Sequence, residues 1–365
     1  MDPQHSGRGL RTKRADQRRS LPTTLLRRVE QTLREALPWR PGQLKLGPAS
    51  PGQPRSPSLS PADEDGLRSL PGGQVAETRI SISVDGSRLR LVQTARRRVV
   101  GWGCVELPEG AISGGTMADS QILGTALDRV FSAKQLPRKR TRIAIPAVGS
   151  AMKVLPVPWL EDEELQQAVS DEATRLLGYS EADSYLWWQE VPGRRRDRRV
   201  FVLTCPREPV VVMIEACELA RVELEDMDLG ILSAARCANQ RDAIVASVEG
   251  ACVEAVAIAN DLPVYARSVL ASPPTREAAE DLLPAEISLC IAAVEEQRTA
   301  ARDGVPPPIY LCGSAARSQA LAERVRIRSG RRPSVIAPPL FVPSDLPAAE
   351  YAAALGMAIK EPQQD

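Results

Sequence analysis

Along Arg79 to Val84, apolar and polar residues alternate with Ile80, Ile82 and Val84 at every second position, the period of a half-buried strand. Asp85-Gly86 is a turn signal. Leu89 to Val92 and Arg98 to Leu107 continue as further strands, so a three-stranded meander is predicted. The arrangement recurs: Ala243 to Val248, a Glu249-Gly250 turn, Val253 to Ile258, an Asn260-Asp261 turn, then Val264 to Val269. Each meander opens with Ser-Val-acid-Gly, at Ser83 to Gly86 and at Ser247 to Gly250, 164 residues apart. A duplicated meander separated by mixed material predicts two lobes of shared ancestry.

Between the meanders, Ile112 to Phe131 is expected as a helix after a Gly114-Gly115 turn, followed by strands Thr141 to Pro146 and Met152 to Val157. Glu161 to Leu177 has acids in its first turn and Gly178 beyond its end, which suits the helix dipole and a glycine cap. Tyr185 to Val191 and Val200 to Thr204 are expected as strands around the GRRRDRR turn, and Pro209 opens a helix to about Arg221. After the second meander, Ile287, Ile291 and Val294 mark one face of a core helix over Pro284 to Arg302. Ile309 to Cys312 is a short strand leading through Gly313-Ser314 into a helix over Arg317 to Ile327. A strand near Ser334 to Ala337 and a small-residue helix over Ala348 to Ile359 complete the body.

The chain has 365 residues, 43% of them hydrophobic, enough for one or two cores. Its 47 basic and 46 acidic residues leave a formal charge of +1, which removes the composition argument for a nucleic-acid partner. That balance hides a difference. Residues 1 to 74 hold 13 Lys/Arg against 7 Asp/Glu and 10 of the 31 prolines, whereas the remaining body is mildly acidic. This tail is expected to be disordered. Within it, Thr23 to Leu37 places Leu26, Val29, Leu33 and Leu37 on one helical face with Arg27, Arg28 and Arg34 elsewhere. It reads as a transient solvated helix, or as a basic amphipathic helix that docks on a partner or lipid surface.

The single histidine, His5, lies in the tail, so Ser-His-Asp, Cys-His and His-based metal chemistry are absent from the body. The seven cysteines, Cys104, Cys205, Cys217, Cys237, Cys252, Cys290 and Cys312, show no C-x-x-C spacing and read as buried thiols in a reducing cytoplasm. No apolar run reaches membrane-spanning length. Trp187-Trp188 reads as one core and one exposed ring, GRRRDRR as a solvated hairpin tip, and Gly101-Trp102-Gly103 as a strand bulge or close-packed bend.

The stretches VELPEGAISGGTMADSQILGTALDRVF, RIAIPAVGSAMKVLPVPWLEDEELQQAVSDEATRLL and IYLCGSAARSQALAERV resemble the PilM family of type IV pilus assembly proteins. That family is similar to the cell-division protein FtsA within the actin-like ATPase superfamily. The resemblance runs from about residue 79 to 360. It implies an α/β, two-lobed actin-like fold, a duplicated ribonuclease H-like unit. Lobe 1 would be residues 75 to 235, with an α/β insert over about 108 to 204. Lobe 2 would be residues 236 to 365, with a trimmed insert between Val269 and Pro284.

The resemblance also implies that ATP sits between the lobes, its phosphates held by the two hairpins and its adenosine by a Gly-rich turn. The first hairpin of the family reads D-I-G-S-x-x-x-K. Aligned on Arg90, Ser83 stands for the Asp and Asp85 for the Gly, with Gly86 and Ser87 following. The second reads D-I-G-x-S-x-T, and Ser247 and Glu249 stand in the same two places, with Gly250 following. The adenosine turn keeps Gly313, but Ser314 replaces a glycine. Each hairpin thus loses a metal-side carboxylate and gains one nearer the phosphate path. Two like charges 4 Å apart at an effective dielectric of about 20 repel by roughly 4 kcal/mol.

The expected function is that of a non-catalytic, PilM-like cytoplasmic adaptor, a pseudo-ATPase peripheral to a bacterial inner membrane. It would bind the cytosolic N-terminal segment of a PilN-like bitopic protein of a pilus or secretion platform. Neither a metal nor a cofactor is expected, and self-association is allowed. The alternatives are an ATPase that binds ATP and Mg²⁺ through displaced carboxylates, and an FtsA-like membrane-tethered filament protein.

Overall fold

The computed structural model describes residues 68–69, 78–160, 162–191, 198–297 and 305–360. The 23–37 helix and most of the GRRRDRR turn lie outside them. Of the tail expected to be disordered, Arg68–Ser69 form a short strand, β1, so that expectation is corrected at these two residues.

The first meander is β2 (Thr78–Asp85), β3 (Arg88–Ala95) and β4 (Arg98–Glu106). A one-residue bulge at Val100, beside the Gly-Trp-Gly triplet, shifts β4 against β3. The segment expected to be helical from Ile112 opens instead with a small hairpin, β5 (Ile112–Ser113) and β6 (Thr116–Met117), around Gly114-Gly115. Helix α1 (Ser120–Ala133) starts only where Asp119 caps it, the Asp119 carboxylate accepting from the amides of Gln121 (2.8 Å) and Ile122 (2.9 Å). Strand β7 (Thr141–Ile145) then runs parallel to β2.

The insert, expected over about 108 to 204, is narrower, because β7 lies in the first lobe's own sheet; it comprises β8 (Ala151–Pro156), α2 (Asp162–Leu177), β9 (Ser184–Val191) and β10 (Arg199–Pro206). It has its own small core, in which Leu165, Val169 and Ala173 of α2 pack on Leu155, Val157, Val200 and Val202. Trp187 is buried in the main core, while Trp188 is half-buried against this second one. Next come α3 (Arg207–Leu219), β11 (Leu224–Leu229), parallel to β7, and α4 (Gly230–Arg236). The sequence pattern did not predict β11 or α4.

The second meander is β12 (Ala243–Glu249), β13 (Cys252–Ala259) and β14 (Leu262–Leu270). Helix α5 (Arg276–Gln297) starts eight residues before Pro284, which lies inside it; five residues separate it from β14, so among the described residues the second-lobe insert is trimmed to this link. The remaining elements are β15 (Ile309–Cys312), α6 (Gln319–Ser329), β16 (Ser334–Val335) and α7 (Ala352–Ile359).

Two sheets result. The first has the order β1-β4-β3-β2-β7-β11; the second runs β16-β15-β12-β13-β14-β8-β10-β9. In each, an antiparallel meander is followed by strands parallel to its first member, the same order twice, which is the two-lobed, duplicated architecture. The insert sheet continues the second lobe's sheet through β14 and β8, with Tyr265 opposite Lys153. Helix α7 packs on β2, β3 and β7 of the first lobe, so the boundary that assigned the whole C-terminal stretch to lobe 2 is corrected. The approach is close enough that a Cβ on Gly356 would overlap the Ser233 carbonyl on α4. Lys360 Nζ is 2.8 Å from Asp226 on β11, and Arg142 Nη1 donates to the Met357 carbonyl at 3.2 Å, which ties the helix end to the first sheet.

Candidate functional site

Two hairpin tips meet between the lobes. Asp85 ends β2 and Glu249 ends β12, and each is followed by a glycine with left-handed φ, +59° at Gly86 and +56° at Gly250. The tips face each other closely: a Cβ on Gly86 would lie 3.9 Å from the Gly250 nitrogen.

The ion that joins them is Arg90, paired across β2 and β3 with Ser83. Its side chain is 1% exposed. Nη1 lies 3.1 Å from Asp85 Oδ2 and 3.1 Å from Glu249 Oε1, and Nη2 donates to Glu249 Oε2 at 3.2 Å. One guanidinium therefore bridges a carboxylate of each lobe, with the fork geometry that favours Arg over Lys here. Burial opposes its charge, but Asp85 and Glu249 outweigh that and raise its pKa. Burial pushes the Glu249 carboxyl up, against the pull of Arg90.

The other sequence-predicted residues gather around this ion pair, with one exception. Ser83 is fully buried and donates to Asp85 Oδ2 at 2.5 Å. The Ser314 amide donates to Glu249 Oε1 at 2.8 Å, and its hydroxyl to the Val248 carbonyl at 3.2 Å. Gly313 has φ +79°, and a Cβ there would lie 2.5 Å from Ser247 Oγ, so the turn after β15 is pressed onto the second hairpin. Ser87 is the exception: it is exposed and turned to Glu106, 3.2 Å away, which removes it from the predicted nucleotide set.

Glu254 on β13, the acid in the otherwise apolar run CVEAVAIA, also reaches the cleft, a position the motif comparison missed. The signal was that isolated charge in a buried strand. Burial pushes its carboxyl up to about 7, although the Ala147 amide donates to Oε1 at 2.8 Å. Asp85, Glu249, Glu254 and Glu350 line a space of about 10 Å³, room for about one water.

ATP with Mg²⁺, the cofactor the resemblance implies, needs an open channel between the tips with backbone amides and helix N-termini turned to the phosphates. Here the Ser314 amide is satisfied by Glu249, the carboxylates are satisfied by Arg90, and the tips are nearly in contact. The residues present do not fit the group. Among the described residues, no three His, Cys, Asp or Glu side chains are set to hold a metal ion, and the seven cysteines are free thiols. No described helix is long and apolar enough to cross a membrane.

The sheet order and the paired hairpins define an actin-like fold with two lobes. No protein-family model and no curated protein matches the chain. Among solved structures, the chain is similar to the PilM-PilN type IV pilus biogenesis complex at TM-score 0.59 and 18% identity, covering 78% of this chain and 99% of that one. The fold is therefore PilM-like. Two further structures match at TM-score 0.45: the ethanolamine utilization protein EutJ from Carboxydothermus hydrogenoformans (13% identity, 80% of this chain and 91% of that chain), and the cytoplasmic domain of EpsL, an inner-membrane component of the type II secretion system of Vibrio cholerae (10% identity, 78% and 96%).

Proposed function

We propose that the chain is a non-catalytic, PilM-like cytoplasmic adaptor of a type IV pilus or related secretion platform, peripheral to the inner membrane. In this reading it binds the cytosolic N-terminal segment of a PilN-like bitopic membrane protein and uses no nucleotide to do so. The observation that carries it is Arg90, whose buried guanidinium is ion-paired with both hairpin carboxylates at the place where phosphates and Mg²⁺ would have to enter. The similarity to a PilM-PilN complex supports the partner class.

The test is an anisotropy titration of the full chain against the labelled cytosolic N-terminal peptide of the bitopic protein encoded beside it. Saturable binding in nucleotide-free buffer is expected; a flat titration with the authentic peptide overturns the adaptor reading. The second reading is an ATPase with displaced carboxylates, favoured by the symmetric placement of Asp85 and Glu249 immediately before the left-handed glycines. It requires the Arg90 bridge to open.

A further inference from the structure

The end of the first lobe opposite the cleft gathers basic side chains. The tight turn between β3 and β4 is Arg96-Arg97, and Arg98 starts β4; all three are exposed. Two strands away, the link from α1 into β7 ends Lys139-Arg140, and Arg221 sits in the turn from α3 into β11; these too are exposed. The links are held side by side, since the Thr141 amide donates to the Glu223 carbonyl (3.1 Å) and the Glu223 amide to the Arg138 carbonyl (2.7 Å). From β4 to β7 the sheet spans three strand spacings, about 15 Å, so the turns form one continuous face. Asp128 and Glu223 also lie here, but Asp128 is taken by Arg138 at 2.8 Å.

Two observations separate this face from an ordinary solvated end. Arg96 (φ +56°), Arg140 (+56°), Arg221 (+53°) and Gln135 (+50°) all hold left-handed backbone conformations. At the other described positions of that kind stand Gly, Asn or Asp, which adopt it at lower cost. The chain thus keeps arginine at three turns where the backbone favours glycine. Second, Phe341 is 72% exposed beside the arginine turn. Its amide donates to the Arg97 carbonyl at 3.1 Å, its carbonyl accepts from the Val99 amide at 2.9 Å, and the Arg98 guanidinium lies 5.8 Å over its ring.

We propose that this face binds an anionic lipid surface, with the arginines and Lys139 on the headgroups and Phe341 at their depth. A basic cluster with an exposed aromatic anchor is the chemistry of peripheral bilayer contact. A nucleic-acid site would offer its aromatic ring to a base, whereas one side of Phe341 is covered by Arg98. The tail adds a second basic element to the same chain, and two weak signals acting together give stable anchoring.

The test is co-sedimentation of the full chain with phosphatidylglycerol-containing vesicles and with neutral phosphatidylcholine vesicles, with a random duplex DNA as competitor. Binding confined to the anionic vesicles and unaffected by the DNA is expected. Arg96→Gln/Arg97→Gln/Lys139→Gln should lower partitioning roughly 100-fold, at about 1 kcal/mol per basic residue near the surface. Phe341→Ser alone should lower it severalfold, and since this ring is exposed the variant keeps the fold even if the triple variant does not. Undiminished partitioning of folded variants, equal binding to neutral vesicles, or displacement by DNA each overturns the proposal.

Discussion

Arg90 and Glu249 lie 159 residues apart in sequence, one in each lobe, and are joined by two contacts of 3.1 and 3.2 Å inside the cleft. Buried ion pairs of this kind are costly to form and more costly to break. Here the same guanidinium also serves Asp85, so its loss strands two carboxylates at once. The bridge makes the closed arrangement of the lobes depend on protein groups alone.

Arg90→Met should therefore destabilise the fold by about 3–5 kcal/mol in urea denaturation, the usual cost of leaving a buried charge without its partner. Adding Glu249→Gln to that variant should recover part of the loss. If the two changes are simply additive, Arg90 and Glu249 are not coupled and the bridge is incidental.

Stability should respond to pH through Glu254. Its folded-state carboxyl is pushed up to about 7 from an ordinary value of 4.5, mainly by burial. Between those values the folded state holds more protons than the unfolded one, so this contribution is complete below about 4.5 and is lost as pH rises through about 7. Glu249 is shifted in the same direction and adds to the slope. Unfolding free energy measured from pH 5 to pH 8 should fall with rising pH, and Glu254→Gln should flatten the curve while preserving acceptance from the Ala147 amide. An unchanged slope in that variant would contradict the assignment.

Gly356→Ala should destabilise by about 3 kcal/mol, because the new methyl would overlap the Ser233 carbonyl and force α7 away from α4. Thermal unfolding reads this directly. A wild-type midpoint would mean that the helix contact is looser than described.

The two meanders were legible because β-period alternation ends in D-G and E-G turns, a local signal present twice. The strand β11 was not, because LEDMDL carries its acids in a buried sheet and satisfies them at a distance. Glu225 pairs with Arg142 and Asp226 with Lys360, partners that no short window contains, while Asp228 pairs with Arg236 on the following helix. The start of α1 could have been read from Asp119, whose capping role outweighs the apolar periodicity beginning at Ile112. At the site, Ser83, Asp85, Ser247 and Glu249 were visible as departures from a pattern. The bridge by Arg90 was not, since the alignment presented that residue only as the basic end of a motif.

Calorimetric titration of the full chain with Mg-ATP tests most directly whether the cleft takes nucleotide. With the Arg90 bridge closed, no saturable heat is expected at millimolar ATP, in the wild type or in Asp85→Ala. Saturable binding in the wild type that disappears in Asp85→Ala or Glu249→Ala would contradict it and establish those carboxylates as part of a working nucleotide site.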